Sequence, residues 1–91
     1  MYTRGTVVLI EDEEAIADLV RMYFEQEGFR LVHAADGPAG LNAVRDRSPR
    51  AVLLDLGLPG MDGMEVCRRI RATSDVPIIM LTARVEESDK L

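Results

Sequence analysis

Residues 51–63, AVLLDLGLPGMDG, decide how this chain is read. The apolar run at 51–56 has the length and composition of a strand buried on both faces, yet it carries one acid, Asp55. A carboxylate in such a run is costly to desolvate unless partners meet it, which marks Asp55 as a functional residue. Residues 57–63 form a glycine-rich loop. Asp62 is placed to cap a helix, with Glu65 as the return half of a capping box and Met61 and Val66 as its hydrophobic staple. That helix is expected to end near Ala72.

On the amino-terminal side, residues 6–10 (TVVLI) are a second buried strand, broken by the acidic residues 11–14. Ile16, Leu19, Val20, Tyr23 and Phe24 then recur at helical spacing and predict an amphipathic helix with Gly28 just past its end. Residues 29–34 read as a shorter strand. Asp36 caps a further helix with Gly37 and Pro38 in its first turn, and Ser48-Pro49 stops it. On the carboxyl-terminal side, residues 76–81 (VPIIML) read as a fourth buried strand, and residues 82–91 as the beginning of a fourth helix. Buried strands alternating with amphipathic helices predict an α/β fold, a doubly wound parallel sheet covered on both faces, with right-handed crossovers.

Composition narrows the function classes. Eleven basic against sixteen acidic residues give a net charge of −5, which argues against direct nucleic-acid or anionic-membrane binding. The one basic cluster, Arg68, Arg69 and Arg71, reads as a solvated helix face. A single cysteine, Cys67, excludes an internal disulfide, and with no signal peptide or membrane-length apolar run the expected location is the cytoplasm.

In a parallel sheet the carboxyl ends of the strands share one edge, where ligands of open α/β sheets bind. That edge would collect Glu11 and Asp12 after the first strand, Asp55 at the end of the third and Thr82 after the fourth. Each has a plainer reading on its own: Glu11 and Asp12, or Thr82, as helix caps. Together they form an acidic pocket that needs protons or a cation to hold it, and Mg2+ suits oxygen ligands of this kind. An aspartate can also attack phosphorus to give an acyl phosphate.

Glu11-Asp12 after TVVLI, DLGLPGMDG from Asp55 to Gly63 with Pro59 four residues after Asp55, and Leu81-Thr82-Ala83-Arg84 resemble the receiver domain of bacterial two-component response regulators. The resemblance covers essentially the whole chain and reads residues 1–91 as a partial receiver domain. It implies a flavodoxin-like fold of strand order 2-1-3-4-5, here 2-1-3-4. It implies that Asp55 takes a phosphoryl group from a sensor histidine kinase or a small phosphodonor, and that the domain controls a downstream output. It implies Mg2+ held directly by Asp12 and Asp55, through water by Glu11, and by the backbone carbonyl of Gly57. Thr82 would hydrogen-bond a phosphoryl oxygen and move toward it on activation, and Ala83 would leave room for the phosphate. The ending, LTAR followed by Glu87, Asp89, Lys90 and Leu91, is similar to the class with a winged-helix DNA-binding domain downstream.

The departure from the family is at the end of the chain. The family's fifth strand, with its lysine and switch aromatic, and its fifth helix are not within these 91 residues, and Lys90 is not that lysine. For these residues alone, slow or undetectable phosphorylation is therefore expected. So is self-association: without the outer strand, residues 76–81 become an edge strand open to pairing, and the sheet face beside Ile16, Val20 and Phe24 loses its cover. A few hundred Å2 left wet at roughly 25 cal/mol per Å2 costs several kcal/mol. A homodimer or larger assembly through the fourth-strand edge or the first-helix face is expected.

Three rivals are weaker. An aspartate-nucleophile phosphohydrolase would carry a second acid two residues after the nucleophile, where Gly57 stands. A receiver-like interaction module that is never phosphorylated leaves the acidic set unexplained in the parent protein, whereas the missing lysine favours it for these 91 residues. A nucleotide-binding flavodoxin-like domain lacks a phosphate-cradling glycine loop after the first strand, where EDEE stands. His33 is read as a surface or capping residue, Met61, Met64 and Met80 as packing, and Cys67 as a small residue at least half-buried. No enzyme activity is expected beyond autocatalytic phosphorylation and dephosphorylation of Asp55.

Overall fold

The TVVLI run forms the centre of the molecule because β-branched and aliphatic side chains fit both faces of a pleated strand. A computed structural model describes residues 2–58 and 60–81. Its elements are β1 (Thr6–Ile10), α1 (Glu14–Gln26), β2 (Arg30–Ala34), α2 (Gly37–Arg47), β3 (Ala51–Asp55), α3 (Gly63–Arg71) and β4 (Ile78–Leu81). All strand pairs are parallel and the order is β2-β1-β3-β4, as the resemblance implied. The expected fourth helix, with Thr82 and Ala83, lies outside the described residues, as does Pro59.

Two cores flank the sheet. Val8, Ile10, Val52 and Leu54 pack with Val66 and Ile70 of α3 and with half-buried Leu41 and Val44 of α2. Removing a side chain such as Leu54, which is completely buried, should cost about 2–5 kcal/mol. The helix α2 lies so close to β1 that a Cβ at Gly40 would run into Ile10. On the opposite face Val7, Leu9, Leu31 and Leu53 pack with Ala17 of α1, backed by Val20 and Phe24.

The caps follow the sequence in part. Asp36 accepts the Ala39 N–H at 2.8 Å, and Ser48, at φ 46°, closes α2. Asp62 accepts the Met64 N–H at 3.1 Å, but the return half of the capping box does not form. The Glu65 carboxylate instead meets Arg68 at 2.6 Å and Arg69 at 2.8 Å, a charge-assisted contact that outcompetes a neutral backbone donor. Glu11 and Asp12 are not the N-cap of α1: that place is taken by Glu13, which makes no side-chain cap bond.

Two further differences concern burial. The apolar stripe of α1 is split: Ala17, Val20 and Phe24 line the sheet, while Leu19 and Tyr23 remain 51% and 59% exposed. One helix covers this face and two cover the other, so the sheet cannot bury the whole stripe among the described residues. The strand β4 is shorter than 76–81 and only half-buried, with Ile79 52% exposed. Pro77, which lacks an N–H, contributes only its carbonyl, accepting from Val52 at 2.9 Å. Met64, expected to pack, is exposed. Among the described residues no helix is long and apolar enough to cross a membrane.

Candidate functional site

The register of β1 against β3 pairs Ile10 with Leu54, so the residues that follow, Glu11 and Asp55, emerge side by side at the carboxyl edge. Both are only 2% exposed. Asp12, one residue further along, lies in a bend and is exposed. One carboxylate oxygen from each of Glu11, Asp12 and Asp55 falls within 4.8 Å of the others.

Local backbone geometry holds these acids. The Gly57 N–H donates to Oδ1 of Asp55 at 3.1 Å, across the turn that ends β3. The Glu13 N–H donates to Oε2 of Glu11 at 3.0 Å. Glu11 itself is anchored to β2: its N–H donates to the Ala34 carbonyl at 3.0 Å, and its carbonyl lies 2.6 Å from Nε2 of His33. On the other side of β3, Leu81 stands level with Asp55.

Charge is concentrated here. Burial pushes the Glu11 carboxyl above the usual carboxylate range, opposed by the Glu13 N–H and reinforced by the charges of Asp55 and Asp12 and by its contact with Asp55. An added cation would relieve both the repulsion and the desolvation. The donor set fits Mg2+: all oxygen, at the open end of a sheet where water can complete the shell. Two open grooves of about 690 and 900 Å3 lie beside α2 and α3 and are lined by other residues.

The sequence foresaw this meeting of Glu11, Asp12 and Asp55, with Gly57 two residues past Asp55. Thr82 falls outside the described residues. The sequence reads His33 as a surface or capping residue, whereas the structure places it half-buried with its ring against the Glu11 carbonyl. Its link to Glu11 spans 22 positions and depends on the β1–β2 register, so nothing in the local pattern around it could have announced the contact.

A parallel sheet of this order with an acidic carboxyl edge defines a class of signalling domain, and the comparisons agree. The family described as response regulator receiver domain matches residues 7–91, and the chain belongs to that family. It is 45% identical over 84 residues to the transcriptional regulatory protein AfsQ1 of Streptomyces coelicolor, and 46% identical over 86 residues to the sensory transduction protein RegX3 of Mycobacterium tuberculosis. Those matches take in 92% and 94% of this chain but only 37% and 38% of the relatives' lengths. Among solved structures, the N-terminal domain of a response regulator receiver protein from Methanoculleus marisnigri superposes with a TM-score of 0.85 at 34% identity, over 94% of this chain and 72% of that one.

Proposed function

We propose that this domain receives a phosphoryl group on Asp55 from the phosphohistidine of a sensor kinase in the cytoplasm, and that the resulting charge controls transcription through a DNA-binding output domain. The observation that carries this reading is the convergence of Glu11, Asp12 and Asp55 within 4.8 Å at the carboxyl edge of the sheet. Asp12, Asp55 and the Gly57 carbonyl would hold Mg2+ directly and Glu11 through water. Bound there, the ion would neutralise phosphoryl oxygens and draw the three acids together.

The chemistry asked of the chain is then small. A carboxylate oxygen of Asp55 attacks phosphorus, a P–O bond forms, the P–N bond to the donor imidazole breaks, and that imidazole, already protonated on its other nitrogen, leaves as the neutral ring. Gly57 steadies the Asp55 carboxylate through its N–H. Thr82 would bind a phosphoryl oxygen once the group is in place. No general acid stands at Gly57 to expel an alcohol, which favours a phosphoryl receiver over a phosphohydrolase. The output domain is suggested by the relative named as a transcriptional regulatory protein.

Treating the full-length protein with acetyl phosphate and Mg2+, then mapping the acyl phosphate by mass spectrometry, tests the assignment. The adduct is expected on Asp55 alone. An adduct that persists in Asp55→Asn refutes it. Self-association through the β4 edge or the α1 face is a second proposal, supported by the exposure of Ile79, Leu19 and Tyr23. Light scattering across a dilution series checks it, and a monomer at all concentrations rejects it.

A further inference from the structure

Both backbone polar groups of Glu11 are committed to β2, the N–H to Ala34 and the carbonyl to His33. A carbonyl offers lone pairs and no proton, so at 2.6 Å the Nε2 of His33 is the donor and the neutral ring is held as the Nε2–H tautomer. Glu11 is 2% exposed, which leaves its carbonyl little access to water as a substitute partner.

The carbonyl in question belongs to the peptide that joins Glu11 to Asp12. Peptide units are planar, so fixing the direction of this C=O fixes the plane from which the Asp12 backbone departs. Asp12 has no strand or helix to orient it. It is exposed, yet its carboxylate must reach two buried ones. Of the three acids, it depends most on the backbone before it.

We propose that His33 is a positioning residue for Asp12: its Nε2–H holds the Glu11 carbonyl and thereby presets the Asp12 carboxylate for the cation. The inference rests on reading Glu11, Asp12 and Asp55 as a Mg2+ site. Groups that orient metal ligands are commonly worth ten- to a hundredfold in affinity, and one that acts through the backbone belongs at the lower end. Beside it, the ring also fills space on the sheet next to Leu9, its partner in register.

Two substitutions separate the donor from the filler. His33→Leu keeps much of the volume and removes the N–H, whereas His33→Gln returns an amide N–H close to the place of Nε2. Mg2+ titrations, followed by amide NMR shifts, compare wild type, Asp12→Ala and the two His33 variants. His33→Leu is expected to weaken Mg2+ about tenfold, and His33→Gln to stay within about threefold of wild type. Wild-type affinity in His33→Leu, with binding lost in Asp12→Ala, overturns the role of His33 alone. Equal weakening in the Gln and Leu variants does the same, by assigning the effect to packing. Identical titrations of wild type and Asp12→Ala overturn the metal site and this inference with it. The ring nitrogen shifts of wild type at alkaline pH give a check that needs no variant: they should report Nε2–H, and an Nδ1–H tautomer rejects the proposal.

Discussion

The two ends of the sheet are built on opposite electrostatic plans. At the amino end, arginines lead into the strands and are matched locally. Arg50 donates from Nη1 to the Arg4 carbonyl at 3.0 Å, Arg4 lies 3.9 Å from Glu27, and the Arg30 guanidinium sits 5.1 Å above the Tyr2 ring. Backbone bonds from Arg4, Arg30 and Arg50 to Gly28, Gly5 and Thr6 close that end. At the carboxyl end, three acids crowd together with two of them buried. One end satisfies its charges within the fold, and the other gathers like charges at one point. Perturbed, crowded carboxylates of this kind are characteristic of functional sites.

The sharpest way to break the contrast is to remove the acid at its centre. Asp55→Asn should abolish the acyl phosphate altogether while leaving the fold intact, because the amide is nearly the same shape and ends the repulsion with Glu11. Mass mapping together with a urea midpoint no lower than wild type checks both halves. Next in size, Asp12→Ala should eliminate measurable Mg2+ binding in a calorimetric titration; retained affinity would move the metal elsewhere. At the opposite end, Gly5→Ala should cost about 1–2 kcal/mol, since φ is +100° and the new Cβ would lie 2.5 Å from Cδ of Arg50. Denaturation should register that loss, and Mg2+ affinity should not change. An effect of Gly5→Ala on the metal would mean that the two ends are not independent.

The smallest effect is on pH dependence. Above the ordinary glutamate pKa of 4.5, an unfolded chain releases the Glu11 proton, while the folded chain retains it up to its raised value. The folded state then binds more protons, so stability falls as pH rises through that window, and the contribution is fully present only below it. In Glu11→Gln this component of the slope should vanish. Urea midpoints measured without Mg2+ across the acidic range would show it; a midpoint that rises faster with pH in wild type than in Glu11→Gln contradicts the sign.

Much of this is legible in the sequence. The TVVLI and AVLLD runs admit only buried strands, and Asp36, Gly37 and Pro38 can hardly begin anything but a helix. With the topology implied by the resemblance, those strands bring Glu11 and Asp55 to one edge. What the sequence concealed depended on competition or on register. Glu65 suited the capping box equally well, and lost that role because Arg68 and Arg69 lie three and four residues on. The five apolar residues of α1 formed one stripe, yet how much of it is buried depends on how many helices share the sheet face. Residues 76 and 77 are as apolar as their neighbours, and the strand begins only after the proline. The His33 contact exists because two distant strands lie in a particular alignment.

The position of β4 has a consequence for how the domain can respond. Among the described residues it is four residues long, bonded to β3 alone and half-buried, whereas β1 is enclosed on both sides and both faces. Among the described residues β1 is therefore the strand whose local opening is expected to cost closest to the global free energy. Asp55 lies at the end of β3, level with Leu81 at the end of β4. A change of charge at Asp55 would therefore act directly beside the most enclosed strand of the sheet, β1, whose end presents Glu11 next to it.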